Sequence, residues 1–303
     1  MANKDLRALK QAARTALILP AAVLALAGCA SGPADHYARG VEHYDRGRIQ
    51  NAVAEYRSAI RTNPDDPRPR FNLAVIYQDE GRLDEAEKLY RSIAERHPDY
   101  SAALSNLASI QEKQGRTAEA EKSYRSAVAA NRDDAYAAAQ FGYFLLRLDR
   151  LEEADEMFRE ALRRDSTCGN AHFGLGSVAE RRGKQAEALR SYKEAMHYNP
   201  SDLDAHLRAA RLLAAQGKRS DAVSILRKAC DLDPDRAETF LTLGRLLREE
   251  GTLREASEAV ERAKSRGAPA LECDTELSDL YRRLADEAAS ACGQAASGKE
   301  TNR

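Results

Sequence analysis

Small and large apolar positions recur along most of the chain with a period of 34 residues. The clearest series is seven alanines without an insertion or deletion between them: Ala52, Ala86, Ala120, Ala154, Ala188, Ala222 and Ala256. A fixed period of this length is typical of repeat proteins, in which each unit packs only on its neighbours. Counted from Pro33, the pattern predicts seven units: 33–66, 67–100, 101–134, 135–168, 169–202, 203–236 and 237–270.

Each unit is predicted to contain two helices joined by a turn. The alanine stands at position 20 of the unit, and a bulky side chain follows at position 24, on the same helical face. Position 8 is Gly or Ala in every unit, which predicts a close approach of the two helices. Position 15 is Gly in six units and Asp149 in the fourth, which predicts a helix end in the left-handed conformation. We therefore predict an all-α fold.

These positions resemble the tetratricopeptide repeat (TPR) family over residues 33–270, although no unit has the family's tryptophan at position 4. The resemblance implies a TPR solenoid, a right-handed superhelix of helix-turn-helix repeats. After the last repeat, apolar residues including Leu277, Leu280 and Leu284 predict a capping helix over 271–290. The small and polar residues 291–303 predict a disordered tail.

The amino-terminal segment is predicted to be a targeting signal. Four basic residues precede an apolar run over 16–27, which is too short to span a bilayer and has the length of a secretory signal. The run ends in Leu26, Ala27, Gly28 and Cys29, which resemble the lipobox of bacterial lipoproteins. The resemblance implies a signal peptide over 1–28, lipid on Cys29 and a short tether over 29–32. The alternative is an ordinary secretion signal.

In that lipoprotein family, an aspartate after the modified cysteine commonly retains the protein in the inner membrane. Ala30 stands there in this chain, which implies lipid anchoring at the outer membrane, facing the periplasm. An anchor carrying several acyl chains is stable, whereas a single chain gives only marginal binding.

Composition and motifs argue against several classes of function. The formal net charge is −1, which does not favour a nucleic-acid partner. The six histidines and five cysteines form no HExxH motif and no CxxC pair, so we expect no metal site and no cofactor. A disulfide between Cys273 and Cys292 requires that the last helix end early. We find no catalytic constellation and expect no enzyme; an unrecognised enzyme remains the alternative from another class.

The TPR resemblance implies that positions 2, 5, 6, 9, 12 and 13 of each first helix face a ligand groove. Position 6 carries side-chain amides in three consecutive units, and aromatic residues stand beside them at positions 2, 5 and 9. Such amides both donate to and accept from the backbone of an extended peptide. The alternative is a set of soluble residues on an exposed face. The predicted peptide-binding residues are Phe71, Asn72, Asn106, Tyr136, Gln140 and Tyr143.

A basic patch is predicted at the groove positions of the sixth and seventh units. Guanidinium groups there are suited to carboxylates of an acidic partner segment. The alternative is neutralisation within the chain, by Asp204, Glu238 and Glu249. The patch consists of Arg208, Arg211, Arg245 and Arg248.

Together these features predict a lipid-anchored scaffold that binds protein or peptide segments. The lipobox, the short tether and the TPR array resemble the pilotin-type lipoproteins that assist assembly of the type IV pilus secretin. A scaffold for polysaccharide export and an adaptor for envelope proteases are the alternatives, and the oligomeric state is left open.

Overall fold

The computed structural model describes residues 35–300, with side chains described through residue 287 and at residue 290. The predicted signal peptide, Cys29 and the tether over 29–32 lie outside the described residues. So does the side chain of Cys292.

Within residues 35–300 the chain forms fifteen helices and no strand, as the pattern predicted. Each of the seven predicted repeats contains two helices, and one further helix follows. The helices are α1 (His36–Asp45), α2 (Ile49–Thr62), α3 (Pro67–Asp79), α4 (Leu83–Arg96), α5 (Ser101–Lys113), α6 (Thr117–Ala130), α7 (Ala135–Arg147), α8 (Leu151–Arg164), α9 (Gly169–Arg181), α10 (Gln185–Tyr198), α11 (Leu203–Ala215), α12 (Arg219–Leu232), α13 (Ala237–Glu250), α14 (Leu253–Ser265) and α15 (Ala270–Glu300). From α1 to α8, and again from α9 to α15, consecutive helices pack on one another in a solenoid-like, helix-turn-helix manner.

The chain divides into two compact units, which we call the N-terminal unit (described from residue 35 to 166) and the C-terminal unit (167–300). In the N-terminal unit, Tyr56 and Tyr90 are the largest fully buried side chains of a cluster that runs from Ala52 to Ile110. In the C-terminal unit, the buried cluster extends from Ala179 to Leu280.

The predicted close approach of paired helices is confirmed in both units. A Cβ atom built on Gly40 would lie 2.5 Å from the ring of Tyr56, and one built on Gly176 would lie 2.6 Å from the ring of Tyr192. These rings stand at position 24 and the glycines at position 8. The small residue therefore makes room for the bulky one.

The turn between paired helices also follows the prediction. All six glycines at position 15 have positive φ angles, between 70° and 86°. Asp149 occupies this position in the fourth repeat and has a φ of 59°. Asp is one of the few residues besides Gly that reach the left-handed region at modest cost.

Aspartates at position 34 cap the first helix of the following repeat. The Asp66 carboxylate accepts a hydrogen bond from the backbone N–H of Arg68, and Asp134 accepts one from that of Ala137. In the C-terminal unit, Asp202 accepts from the N–H groups of Asp204 and Ala205, both at 3.1 Å. Such caps satisfy backbone donors that have no partner within the helix.

The last helix is longer than predicted. It packs on α14 and α13 through Cys273, Leu277 and Leu280, in agreement with the predicted cap. The helix α15 extends from Ala270 to Glu300, beyond the predicted boundary at residue 290. Alanine is frequent between residues 285 and 296, and its high helix propensity favours continuation. Cys273 is a buried, free cysteine of this helix.

Among the described residues, no helix combines the length and the apolar character needed to cross a bilayer.

Candidate protein-binding surface

Two of the predicted amides are held by buried tyrosines of the preceding repeat. The Nδ2 group of Asn72 donates a hydrogen bond to the hydroxyl of Tyr56 over 3.2 Å. Asn106 makes the same bond to the hydroxyl of Tyr90 over 3.1 Å. The tyrosines are 1% and 0% exposed, whereas both asparagines are half-buried. Each amide is therefore fixed at its inner end and reaches the surface.

This pairing connects position 24 of one repeat with position 6 of the next, sixteen residues later. The repeat pattern predicts packing for position 24 and binding for position 6, and does not by itself connect the two. The sequence signal that would have connected them is a tyrosine followed by an amide at a spacing of 16.

The amide and tyrosine pairs form a neutral surface. Burial raises the pKa of Tyr56 and of Tyr90 far above the usual value, and the hydrogen bonds from Asn72 and Asn106 oppose this only in part. The phenols therefore remain protonated at any physiological pH. We use the name neutral register for Tyr56 with Asn72 and Tyr90 with Asn106.

Gln140 stands at the same position of the fourth repeat but does not continue the neutral register. The hydroxyl of Tyr124 donates instead to the Glu112 carboxylate at 3.3 Å. Glu112 also accepts hydrogen bonds from the Arg147 guanidinium, at 2.6 Å for Nη2. The Tyr124 hydroxyl therefore meets the ion pair of Glu112 and Arg147 instead of a side-chain amide.

The aromatic residues differ from the prediction at one position. Phe71 is 4% exposed and packs between the rings of Tyr90 and Tyr100, with ring centroids 5.7 and 5.4 Å away. It is a core residue and offers no surface to a ligand, because it fills the space between adjacent repeats. Tyr136 and Tyr143 are half-buried, and the ring of Tyr143 lies edge-on to Phe158 at 5.0 Å.

A groove residue that we did not single out stands at position 5 of the first repeat. Tyr37 is half-buried, and the Arg68 guanidinium lies 4.7 Å above its ring centroid. Burial raises the pKa of Tyr37, with the nearby charge of Arg68 and a hydrogen bond with Asn72 acting in the opposite direction. Tyr37 therefore lies next to the neutral register and places an aromatic ring beside Asn72.

Every arginine of the predicted basic patch lies in an ion pair. The Arg208 guanidinium contacts Glu180 at 2.9 Å, and that of Arg211 contacts Glu238 at 3.0 Å. Arg248 contacts Glu276 at 2.6 Å.

Arg245 contacts both Glu272 and Glu276, at 3.0 and 3.1 Å. Of the three acidic residues proposed as neutralising partners, only Glu238 pairs with the patch. Asp204 pairs with Arg236, and Glu249 with Arg219. The remaining carboxylates come from Glu180 and from α15.

The described residues offer little for metal or nucleophile chemistry. Between residues 35 and 300 no group of three or more metal-ligating side chains converges. His206 is buried and its Nδ1 lies 2.7 Å from the Asp202 carbonyl oxygen, which matches a packing role. Burial raises the pKa of the Cys230 thiol to about 11, so this group is a poor nucleophile at neutral pH.

An all-helical repeat with a partly exposed row of polar side chains defines the class of helical-repeat interaction proteins. Two tetratricopeptide repeat family models match the chain, one over residues 43–110, 78–140 and 179–229 and the other over 140–202 and 207–272. The chain belongs to the tetratricopeptide repeat family. Proteins of this fold are typically non-enzymatic scaffolds for protein interaction.

Solved structures of other repeat proteins share the fold. A tetratricopeptide repeat protein from Parabacteroides merdae is 21% identical, with 81% of this chain and 97% of that chain covered and a TM-score of 0.56. The structure of pilF from Pseudomonas aeruginosa is 21% identical, with 70% of this chain and 97% of that chain covered and a TM-score of 0.60. A chain of the Cut9–Hcn1 structure is 12% identical, with 80% of this chain and 48% of that chain covered and a TM-score of 0.63. No curated protein matches the chain.

Proposed function

We propose that the chain is a scaffold that holds an extended segment of a partner protein on the neutral register of its N-terminal unit. The observation that supports the proposal most is the pair of hydrogen bonds from Asn72 and Asn106 to buried tyrosine hydroxyls. A side chain fixed in this way loses little conformational entropy when it binds a ligand.

The chemistry of the register fits a peptide backbone. An asparagine has two N–H donors and one carbonyl oxygen, and the tyrosine engages one donor of each amide. Each additional hydrogen bond to a ligand contributes about 0.5–1.5 kcal/mol net, so two amides alone support weak binding. Contact with the half-buried rings of Tyr37 and Tyr143 would add apolar area.

A photo-crosslinking amino acid placed in the native host tests this proposal. We would place it at Ser109, on α5 beside Asn106, and at Lys88, an exposed residue of α4, as the matched control. The proposal predicts a captured protein at Ser109 that is lost when Asn72 and Asn106 are both changed to Ala. Equal capture from the two positions, or capture that survives the double change, would contradict it.

We also propose that the protein is held at the outer membrane by lipid on Cys29, facing the periplasm. The lipobox resemblance of residues 26–29 and the absence of an aspartate at Ala30 support this location. Mass spectrometry of the mature protein would test for the acylated cysteine. The Cys29→Ser variant should leave the outer-membrane fraction, and an unmodified wild-type protein in the soluble fraction would refute the anchor.

As a particular partner we propose the secretin of a type IV pilus. The combination of a lipobox with a TPR array supports it, whereas the likeness to pilF concerns the fold alone. Deletion in the host should abolish secretin multimers, and a Cys29→Ser variant should reproduce the defect. Identification of the protein crosslinked at Ser109 as a polysaccharide-export component or an envelope protease would favour those alternatives instead.

A further inference from the structure

Two arginines converge on one carbonyl oxygen at the turn between the first and second repeats. The Arg70 Nη2 group donates to the carbonyl oxygen of Pro64 over 2.5 Å, and Arg96 Nη1 donates to the same oxygen over 3.4 Å. Arg70 is half-buried on α3, and Arg96 lies at the end of α4. Because both bond one atom, the two positive groups are close neighbours.

The same positions in other repeats show that one arginine is enough for this turn. Arg164, the equivalent of Arg96 in the fourth repeat, alone donates to the carbonyl oxygens of Asn131 and Asp134, both at 3.1 Å. In the seventh repeat, Arg266 donates to the Pro234 carbonyl oxygen and lies 4.8 Å from the ring centroid of Phe240. Phe240 is the equivalent of Arg70, so an apolar residue serves there.

The charges at this turn are incompletely compensated. Among the described residues, no carboxylate makes a hydrogen bond to Arg70. Asp65 lies 3.5 Å from Arg96, but its side chain is 90% exposed. The Asp66 carboxylate is engaged by the guanidinium of Arg68 at 2.7 Å. Burial, followed by the charge of Arg96, lowers the pKa of Arg70, as expected for like charges held together.

We propose that Arg70 and Arg96 form a binding site for a phosphate group. Guanidinium groups present paired N–H donors that match the oxygens of phosphates and carboxylates. A phosphate monoester carries close to two negative charges near neutral pH, which matches two guanidinium groups. A carboxylate supplies only one charge, and Asp65 already provides one at this turn through an exposed contact with Arg96 at 3.5 Å, with no hydrogen bond to Arg70. The group could belong to a soluble phosphate or to a lipid headgroup.

Thermal unfolding of the purified full chain tests the site with inorganic phosphate as the probe, against chloride at equal ionic strength. A ligand that binds the folded state raises the melting temperature. The wild type should be stabilised by phosphate beyond chloride, and Arg70→Gln and Arg96→Gln should each lose this response. Because one like charge is removed, Arg70→Gln should melt in chloride no lower than the wild type.

Arg61→Gln is the matched control, since Arg61 is an exposed arginine near the end of the first repeat and donates to the Ser58 hydroxyl. It should retain the full phosphate response. An equal response in all four proteins, or none in the wild type, would overturn the site. If Arg70→Gln fails to fold, Arg96→Gln decides the question, because Arg96 is exposed and its loss leaves Arg70 to bond the turn.

Co-sedimentation with vesicles distinguishes the two sources of phosphate. Vesicles of phosphatidic acid, a lipid phosphate monoester, and phosphatidylcholine, compared with phosphatidylcholine alone, would be mixed with the wild type and Arg70→Gln. A difference between the proteins on the anionic vesicles supports a lipid phosphate, while the phosphate response without that difference supports a soluble one. Any vesicle binding through the amino-terminal segment is the same in the wild type and in Arg70→Gln, so it does not contribute to the difference between them.

Discussion

The tyrosine at position 24 packs in the same way in both units but meets different chemistry at its hydroxyl. In the N-terminal unit, Tyr90 accepts a hydrogen bond from the amide of Asn106. In the C-terminal unit, the Tyr192 hydroxyl donates to Glu180 at 2.6 Å, and Glu180 pairs with Arg208. Arg208 follows Tyr192 by the same 16 residues. The charged partner depends on position 12 of the same repeat, where Glu180 stands in place of Gln78, as well as on position 6 of the next. Tyr124 of the N-terminal unit likewise meets a carboxylate at position 12, that of Glu112.

The two regions also differ in how their charges are compensated. The arginines of the last repeat share Glu276, whose side chain is only 13% exposed between Arg245 and Arg248. Charged side chains in the C-terminal unit are thus satisfied by its own helices, whereas the neutral register keeps hydrogen-bonding capacity for a partner. This contrast favours the N-terminal unit as the peptide-binding region.

The largest effect is expected at the packing contact that both units share. Gly142→Val and Gly176→Val place a branched side chain against Phe158 and Tyr192, where even a Cβ atom would approach to 2.8 and 2.6 Å. Overpacking of this kind costs about 3 kcal/mol of unfolding free energy. Urea denaturation followed by circular dichroism should show similar losses for the two variants. A loss of unfolding free energy in only one of the two variants would show that the packing contact is not equivalent in the two units.

A smaller effect is expected for the buried carboxylate of the C-terminal unit. Glu276→Gln leaves Arg245 and Arg248 without the charge that both contact. We expect a loss of about 1–2 kcal/mol, less than for a fully buried pair because both arginines are partly exposed. The loss should shrink in 1 M salt, where charges are screened. Glu249→Gln, which affects an exposed pair with Arg219, is the control and should lose less.

Much of the fold was predictable because the same residue types recur at the same positions of each repeat. Gly at position 15 predicted left-handed turns, and small residues at position 8 predicted close helices. Asp149, which replaces this glycine in the fourth repeat, adopts the left-handed conformation as well. The length of α15 was not predictable by the same means, because residues 291–300 lack the apolar periodicity that marks a packed helix. Their alanine content, rather than any pattern, favours the helix.

The candidate site was predictable in position but not in contacts. Asn72 and Asn106 reach the surface as expected, yet Phe71 is buried because position 5 also borders the core between repeats. Which side of that boundary a residue occupies depends on its neighbours from two other helices. The spacing within one helix does not contain that information.

Substitution of the asparagines or of the tyrosines of the neutral register distinguishes an effect on partner binding from an effect on the free energy of unfolding. Asn72→Ala with Asn106→Ala and Tyr56→Phe with Tyr90→Phe remove the same hydrogen bonds, each worth about 1 kcal/mol. Both double variants should therefore lose similar stability in urea denaturation. The asparagine variant should also lose the protein crosslinked through Ser109, whereas the tyrosine variant, which keeps the amides but no longer fixes them, should capture less of it without losing it. Loss of capture in both variants would mean that the tyrosine anchor, not the amide itself, is needed for binding.

The smallest expected effect concerns two helix caps at the same position of different repeats. Burial raises the pKa of Asp66, but hydrogen bonds from the side chain and backbone of Arg68 outweigh it, so the net pKa is lowered. Burial raises the pKa of Asp202, and the backbone N–H groups of Ala205 and Asp204 only partly offset this.

The two caps should consequently respond to pH in opposite directions. A lowered pKa stabilises the fold above the unfolded value of about 3.9, and this contribution is lost as the pH falls through the folded pKa. A raised pKa lowers the stability of the fold as the pH rises above the unfolded value, because the folded state holds a proton that the unfolded state has already released. Asn preserves the cap in either case. Asp66→Asn should thus destabilise the protein at pH 7 and little at pH 3, whereas Asp202→Asn should be neutral or stabilising at pH 7. Urea denaturation at both pH values measures the difference, and the same sign for both variants would contradict the contrast between the two units.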